Sequence, residues 1–257
     1  MSNLRPAELL LQSLGIFDPH DIDLEAIAYD QGAIVKYLPL NDCEARIIGY
    51  GKRAIITVDN RYRPSRMRFS IAHELGHWSQ HRGRSLICRT DDIGNPRRSP
   101  VDPERIADSY AADLLLPRYI FIPRANALGI TTFENIETLA NEFSSSITAT
   151  AIRQVEYGPE PAILVCHGPT GRKWFNRPQH IPTRWFPREE LDSDSYAFEV
   201  LFGNSRRSRR VLMGAETWFN HRDAYKFDIF EQSFKVADDE VLTLLTFKDE
   251  DMLEDSE

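Results

Sequence analysis

The sequence predicts an α+β protein in two parts: an N-terminal helical domain with a small antiparallel three-stranded sheet, and a C-terminal α+β domain. Three observations carry this. Apolar residues between Ser65 and Trp78 recur at three- and four-residue steps, the period of a helix. Three earlier runs, AIVKYL, ARIIGY and AIITVD, are rich in branched side chains and separated by polar or glycine-containing turns. Beyond Gly158, Pro159 and Pro161 the strand-like pattern returns and persists almost to the end.

The elements follow in order. PAELLLQSLG, from Pro6 to Gly15, has proline in its first turn and glycine at its stop, and Leu24 to Gly32 ends in the same way, so two short helices open the chain. The three strand-like runs come next. In the helix from Ser65, Met67, Ile71, Leu75 and Trp78 form an apolar stripe, while His73 and His77 stack one turn apart on another face. An arginine-rich, proline-containing loop covers Arg82 to Val101. Asp102 and Pro103 then provide an N-cap and a first-turn proline for a helix through Leu116, which Pro117 helps to end. Two short helices are predicted between Thr131 and Tyr157, closing a first domain at 1–158. In the second domain, 161–248, AILVCH, SYAFEVLFG, RRVLMG and VLTLLTF read as strands, with a short helix near Asp223 to Phe230. The last stretch, 249–257, reads as a disordered acidic tail.

Charge narrows the function. The net charge is −8, but six acids lie in the nine residues after Lys248, so the remainder carries only −2. A protein bound chiefly through phosphate contacts needs a basic excess that is missing here, and no direct nucleic-acid partner is expected. No apolar run approaches the length of a membrane helix, and the first residues lack a basic leader, so a cytoplasmic protein without a membrane partner is predicted. Cys43, Cys88 and Cys166 are odd in number and widely spaced, which suits neither a disulfide framework nor a zinc ribbon.

The residues that carry chemistry are HELGH at 73–77. On a helix, imidazoles four residues apart point the same way and can bind one zinc ion, with the intervening glutamate beside the open coordination position. A third ligand is needed. His81 extends the histidine face by another turn, about 6 Å along the axis, too far for one straight helix to wrap an ion. Glu104, early in ERIADSYAADLLLP, is the better candidate, and Asp108 one turn later can accept a hydrogen bond from a ligating histidine. Both acids are equally explained, on periodicity alone, by favourable charge near a helix N-terminus.

RMRFSIAHELGHW at 66–78 and ERIADSYAADLLLP at 104–117 together resemble the paired signatures of the ImmA/IrrE family of metallopeptidases. LANEFSSSITATAIRQ from Leu139 is similar to the helix-turn-helix-like segment, here 131–157, that closes that family's catalytic region. The resemblance covers residues 20–157 and implies that His73, His77 and Glu104 are metal ligands, Glu74 the catalytic base, and Asp108 a supporting residue. Zinc is the implied cofactor, with manganese or another divalent ion compatible with the same donors. The implied activity is hydrolysis of a peptide bond in a protein substrate, a helix-turn-helix repressor of stress-response or mobile-element genes. The C-terminal domain resembles the sensor-like additions of some members.

Two other classes compete: a metal-containing sensor that does not cleave, and a DNA-binding regulator using 131–157. That segment sets Glu134, Glu137, Glu142 and Glu156 against Arg153 alone, a poor phosphate-facing surface. Packing beneath the metal site through Leu139, Phe143, Ile147 and Ile152 is the preferred role for its helices. Arg206, Arg207, Arg209 and Arg210 read as a solvated turn or a contact for an acidic partner. Trp174, Trp185 and Trp218, with Phe175, Phe186 and Phe219, read as core or as a ligand pocket.

Overall fold

The computed structural model describes residues 4–80 and 102–254. The predicted loop at 82–101, His81 and Cys88 lie outside the described residues. The chain is α+β, with eight α-helices and two sheets, of three and five strands, among the described residues. It divides into two compact units, Met1–Phe121 with Asn141–Ser146, and Ile122–Ala140 with Ile147–Glu257.

In the first unit, α1 (Pro6–Ser13) and α2 (Leu24–Asp30) stop before glycines of positive φ, Gly15 at 73° and Gly32 at 83°. Gly32 is required twice over, because a Cβ there would lie 2.4 Å from the carbonyl oxygen of Lys52. Buried Glu8 fixes α1 by accepting from the backbone N–H of Arg118 at 2.7 Å and from its guanidinium at 2.6 Å. Burial disfavours that carboxylate, but the arginine outweighs burial and holds its pKa below the usual range.

Strands β1 (Ala33–Tyr37), β2 (Ala45–Tyr50) and β3 (Arg53–Val58) stand in the order β1-β3-β2. The sheet is mixed rather than antiparallel: β2 and β3 form a hairpin, but β1 runs parallel to β3. The connections explain the difference. The tight Gly51-Lys52 turn forces β3 back beside β2, whereas residues 38–44 are enough chain to step across the end of β3. That crossing is pinned where Asp59 accepts from the N–H of Leu40 at 3.3 Å and pairs with Arg61.

Helix α3 (Pro64–Gln80) packs on the inner face of this sheet and along α4 (Pro103–Leu115), which Asp102 caps by accepting from the N–H of Glu104 at 3.0 Å. Every residue of α3 from Ser70 to Trp78 is buried. The helix is therefore covered on both faces, not amphipathic as its apolar stripe suggests, because α4 lies over the side that carries the histidines. Trp78 reaches the sheet at Gly49, where a Cβ would come within 2.4 Å of the indole ring. Next, α5 (Arg118–Leu128) spans the division between the units; Pro123 within it concealed the helix from sequence reading.

In the second unit, α6 (Phe133–Glu142) and α7 (Ile147–Tyr157) precede β4 (Ala162–Gly168), β5 (Gly171–Asn176), α8 (Tyr196–Phe202), β6 (Val211–Gly214), β7 (Asp228–Ala237) and β8 (Glu240–Phe247). The strands form an antiparallel sheet ordered β5-β4-β8-β7-β6. On one face Phe133, Ile136, Ala151 and Val155 pack with Leu164, Phe234 and Leu244. The helices predicted to lie beneath the metal site thus pack, through most of their apolar residues, on the sheet that follows them. Phe143, just beyond α6, instead meets Phe121 in the first unit, with the rings 5.6 Å apart and tilted by 52°.

The opposite face holds Trp185, Trp218 and Phe219 with Val200 and Leu201 of α8. Here the sequence misleads in three places. SYAFEVLFG forms α8 rather than a strand: Ser195 caps it by accepting from Phe198 N–H, and Ala197, Val200 and Leu201 bury at helical spacing. Around Asp223 to Phe230 only Ala224–Lys226 form a 3-10 turn, and the chain then enters β7. The stretch 249–254 is not loose. Met252 is fully buried in this core, and its carbonyl oxygen accepts from the Trp185 indole N–H at 2.5 Å. One methionine and Leu253 are enough apolar surface to dock a segment whose charge predicted disorder.

The arginine cluster is partly internal as well. Arg207 pairs with Glu134 and Glu137 and lies over the Phe234 ring, and Arg210 pairs with Glu160 over Phe230. No helix among the described residues is long and apolar enough to cross a membrane.

Candidate metal centre

His73 and His77 occupy successive turns of α3, fully buried, with their rings 4.7 Å apart and nearly perpendicular. Their Nε2 atoms converge to 3.1 Å. Glu104 completes the group from the first turn of α4: Oε2 lies 3.2 Å from His73 Nε2 and Oε1 lies 3.4 Å from His77 Nε2. A tetrahedral ion with nitrogen and oxygen ligands at about 2.0–2.1 Å has ligand-to-ligand edges of about 3.3 Å. The three separations match that edge, and among the described residues these three side chains form the group able to hold a metal ion.

Asp108, one turn beyond Glu104, accepts from His73 Nδ1 at 2.9 Å. With its proton committed there, the imidazole presents the Nε2 lone pair toward His77 and Glu104, the tautomer that a ligand needs.

The electrostatics of the group favour positive charge. Burial opposes a charged His73, but hydrogen bonds to Asp108 and Glu104 and the nearby Glu74 carboxylate outweigh it and raise its pKa to about 9. Burial likewise opposes the Glu104 carboxylate, and the two imidazoles overcome it, holding its pKa far below the usual range. An imidazole drawn toward protonation at His73, beside an ionised Glu104, marks a place where positive charge is stabilised. The residues fit a divalent metal.

Close helix packing builds this arrangement. A Cβ on Gly76 would lie 2.9 Å from Cα of Ala107, so glycine between the histidines lets α4 approach until Glu104 reaches them. Glu74, on the intervening turn, is fully buried beside the group. Burial raises the thiol pKa of Cys43 on the β1–β2 connection, with the Arg46 charge opposing and the Glu74 charge adding to that shift.

The IrrE N-terminal-like domain of peptidase family M78 matches residues 28–154, which include α3 and α4. No curated protein matches the chain. Among solved structures, a Mycobacterium tuberculosis transcriptional regulator is similar, with a TM-score of 0.62 and 18% identity over 94% of this chain and 86% of that one. At that identity the likeness is one of fold. Through residues 28–154, this chain belongs to the ImmA/IrrE family of peptidases.

Proposed function

We propose that this chain is a zinc-dependent endopeptidase, acting in the cytoplasm on a helix-turn-helix transcriptional repressor. The observation that carries the reading is the convergence of His73, His77 and Glu104 at 3.1–3.4 Å, with Asp108 orienting His73. In this reading His73 Nε2, His77 Nε2 and a Glu104 oxygen hold the ion. Two histidines and a carboxylate favour zinc. A divalent ion held there polarises the scissile carbonyl and acidifies water.

The chain's own groups do the rest. Glu74 takes the proton of the attacking water on its carboxylate and delivers it to the leaving amine nitrogen, while Asp108 keeps His73 from turning. Glu74 is fully buried on the turn between the two histidines, where its carboxylate faces the same group. The repressor as substrate rests on family membership.

Glu74→Gln tests the assignment. It is expected to keep stoichiometric metal and to lower turnover of a cleaved repressor by roughly 100- to 10,000-fold. Cleavage at the wild-type rate by this variant would remove Glu74 from the mechanism. A regulator that holds metal without cleaving is the second reading, favoured by the fold shared with a transcriptional regulator. Metal binding without cleavage of any repressor by wild type would select it.

A further inference from the structure

We propose that the outer face of the β1–β3–β2 sheet is a docking surface for an amphipathic α-helix of a partner protein, one whose apolar stripe is flanked by acidic residues. The inner face of this sheet is covered by α3, while the outer face is open. Strand pairing sets Ile34, Ile55 and Ile48 abreast across the three strands, and they are 53%, 41% and 55% exposed. In the neighbouring rows, Lys36 and Arg46 flank Thr57 on one side, and Arg53 lies beside Tyr50 on the other.

The outward positions of the strands therefore carry three isoleucines and three cations and no acid. Lys36, Arg46 and Arg53 are exposed and, among the described residues, make no ion pair. In a chain of net charge −8 such a face is a local inversion of sign. An isolated exposed isoleucine is ordinary, but a contiguous apolar row bordered by one sign of charge marks an interaction surface.

Shape and charge choose the occupant. Three strands at about 4.8 Å spacing make the isoleucine row about 10 Å long, about two turns of a helix laid along it, with the cation rows to either side. Toward Tyr50 and Arg53 the face is hollowed, with a half-open cavity of about 670 Å³ lined by Tyr29, Tyr50, Arg53 and the isoleucines. A helix fills such a hollow and a flat bilayer does not. The aliphatic row offers no stacking platform for bases. Acidic residues either side of the helix's apolar stripe would meet the cations in the flanking rows.

The test uses the full chain, isoleucine-methyl labelled, and a synthetic helix of about 20 residues with leucines at helical spacing flanked by glutamates. The expected result is salt-sensitive shifts at Ile34, Ile48 and Ile55. Combined Lys36→Glu, Arg46→Glu and Arg53→Glu should weaken binding roughly tenfold or more while leaving the melting temperature and metal content unchanged. Absence of shifts at millimolar peptide would overturn the proposal. So would equal binding of a version with lysines in place of the glutamates, preference for phosphatidylserine vesicles or single-stranded DNA, or a dimer dissolved by Ile55→Ser.

Discussion

Gly76 carries no side chain because α4 leaves no room for one: the nearest backbone atom is 2.9 Å from where a Cβ would sit. Gly76→Val should cost about 1–3 kcal/mol in denaturant unfolding, as overpacking does. Metal affinity should fall with it, since Glu104 rides on the displaced helix; an unchanged affinity would separate the helix contact from the site. His167 makes a different case. Its buried imidazole, edge-on to Trp218, has a pKa lowered by burial to about 4. The unfolded chain takes up this proton first, at its ordinary value near 6.5, so the stability is whole above that pH and drains away as pH falls toward 4. His167→Gln should flatten acid destabilisation in that window by up to about 3 kcal/mol, read from urea midpoints at pH 4.5 and 7. The histidine pair was legible in the sequence because helix spacing alone brings His73 and His77 together. Glu104 was legible only as one of two readings, since the closeness of α3 and α4 depends on Gly76 and Ala107, whose meeting no local pattern announces.

At the scale of elements, capping and glycine stops located α1, α2 and α4 well, because those signals act within one turn of chain. Pairing was less visible. Whether β1 lies parallel or antiparallel to its neighbour depends on the path of residues 38–44 and on the Asp59 and Arg61 contacts that hold it, which strand composition does not encode. The short α8 was misread since seven residues of mixed branched and aromatic character fit either period, and the Ser195 cap decided it. Within the acidic stretch, residues 249–254 were misread through their average charge, when one buried methionine sets their course. Met252→Ala should accordingly destabilise the protein by about 2–5 kcal/mol, measured by denaturant unfolding. A disordered tail would leave the midpoint unmoved.

Over the whole molecule, charge is arranged by local pairing more than by the total of −8. Glu134 and Glu137 of α6, two of the acids that argued against a phosphate-facing surface, are engaged by Arg207, which itself looked like a free cation in the sequence. The two units also separate the chemistry: the histidine, glutamate and aspartate group lies wholly in the first, and the aromatic core around Trp185 and Trp218 in the second. A metal that binds only the folded state should therefore stabilise α3 and α4, by about 2.7 kcal/mol at a hundredfold excess over the dissociation constant. Hydrogen exchange should slow there and not in β7 and β8, whereas equal slowing throughout would mean that the units unfold together.

The most direct measurement is metal content of the purified chain under zinc-replete conditions, beside His73→Ala, His77→Ala and Glu104→Ala. One zinc per wild-type chain, with binding weakened or lost in each variant and the far-ultraviolet circular dichroism retained, is the predicted result. A folded wild-type chain that takes up no metal, or variants that bind as tightly as wild type, would contradict the assignment of this group as a metal centre.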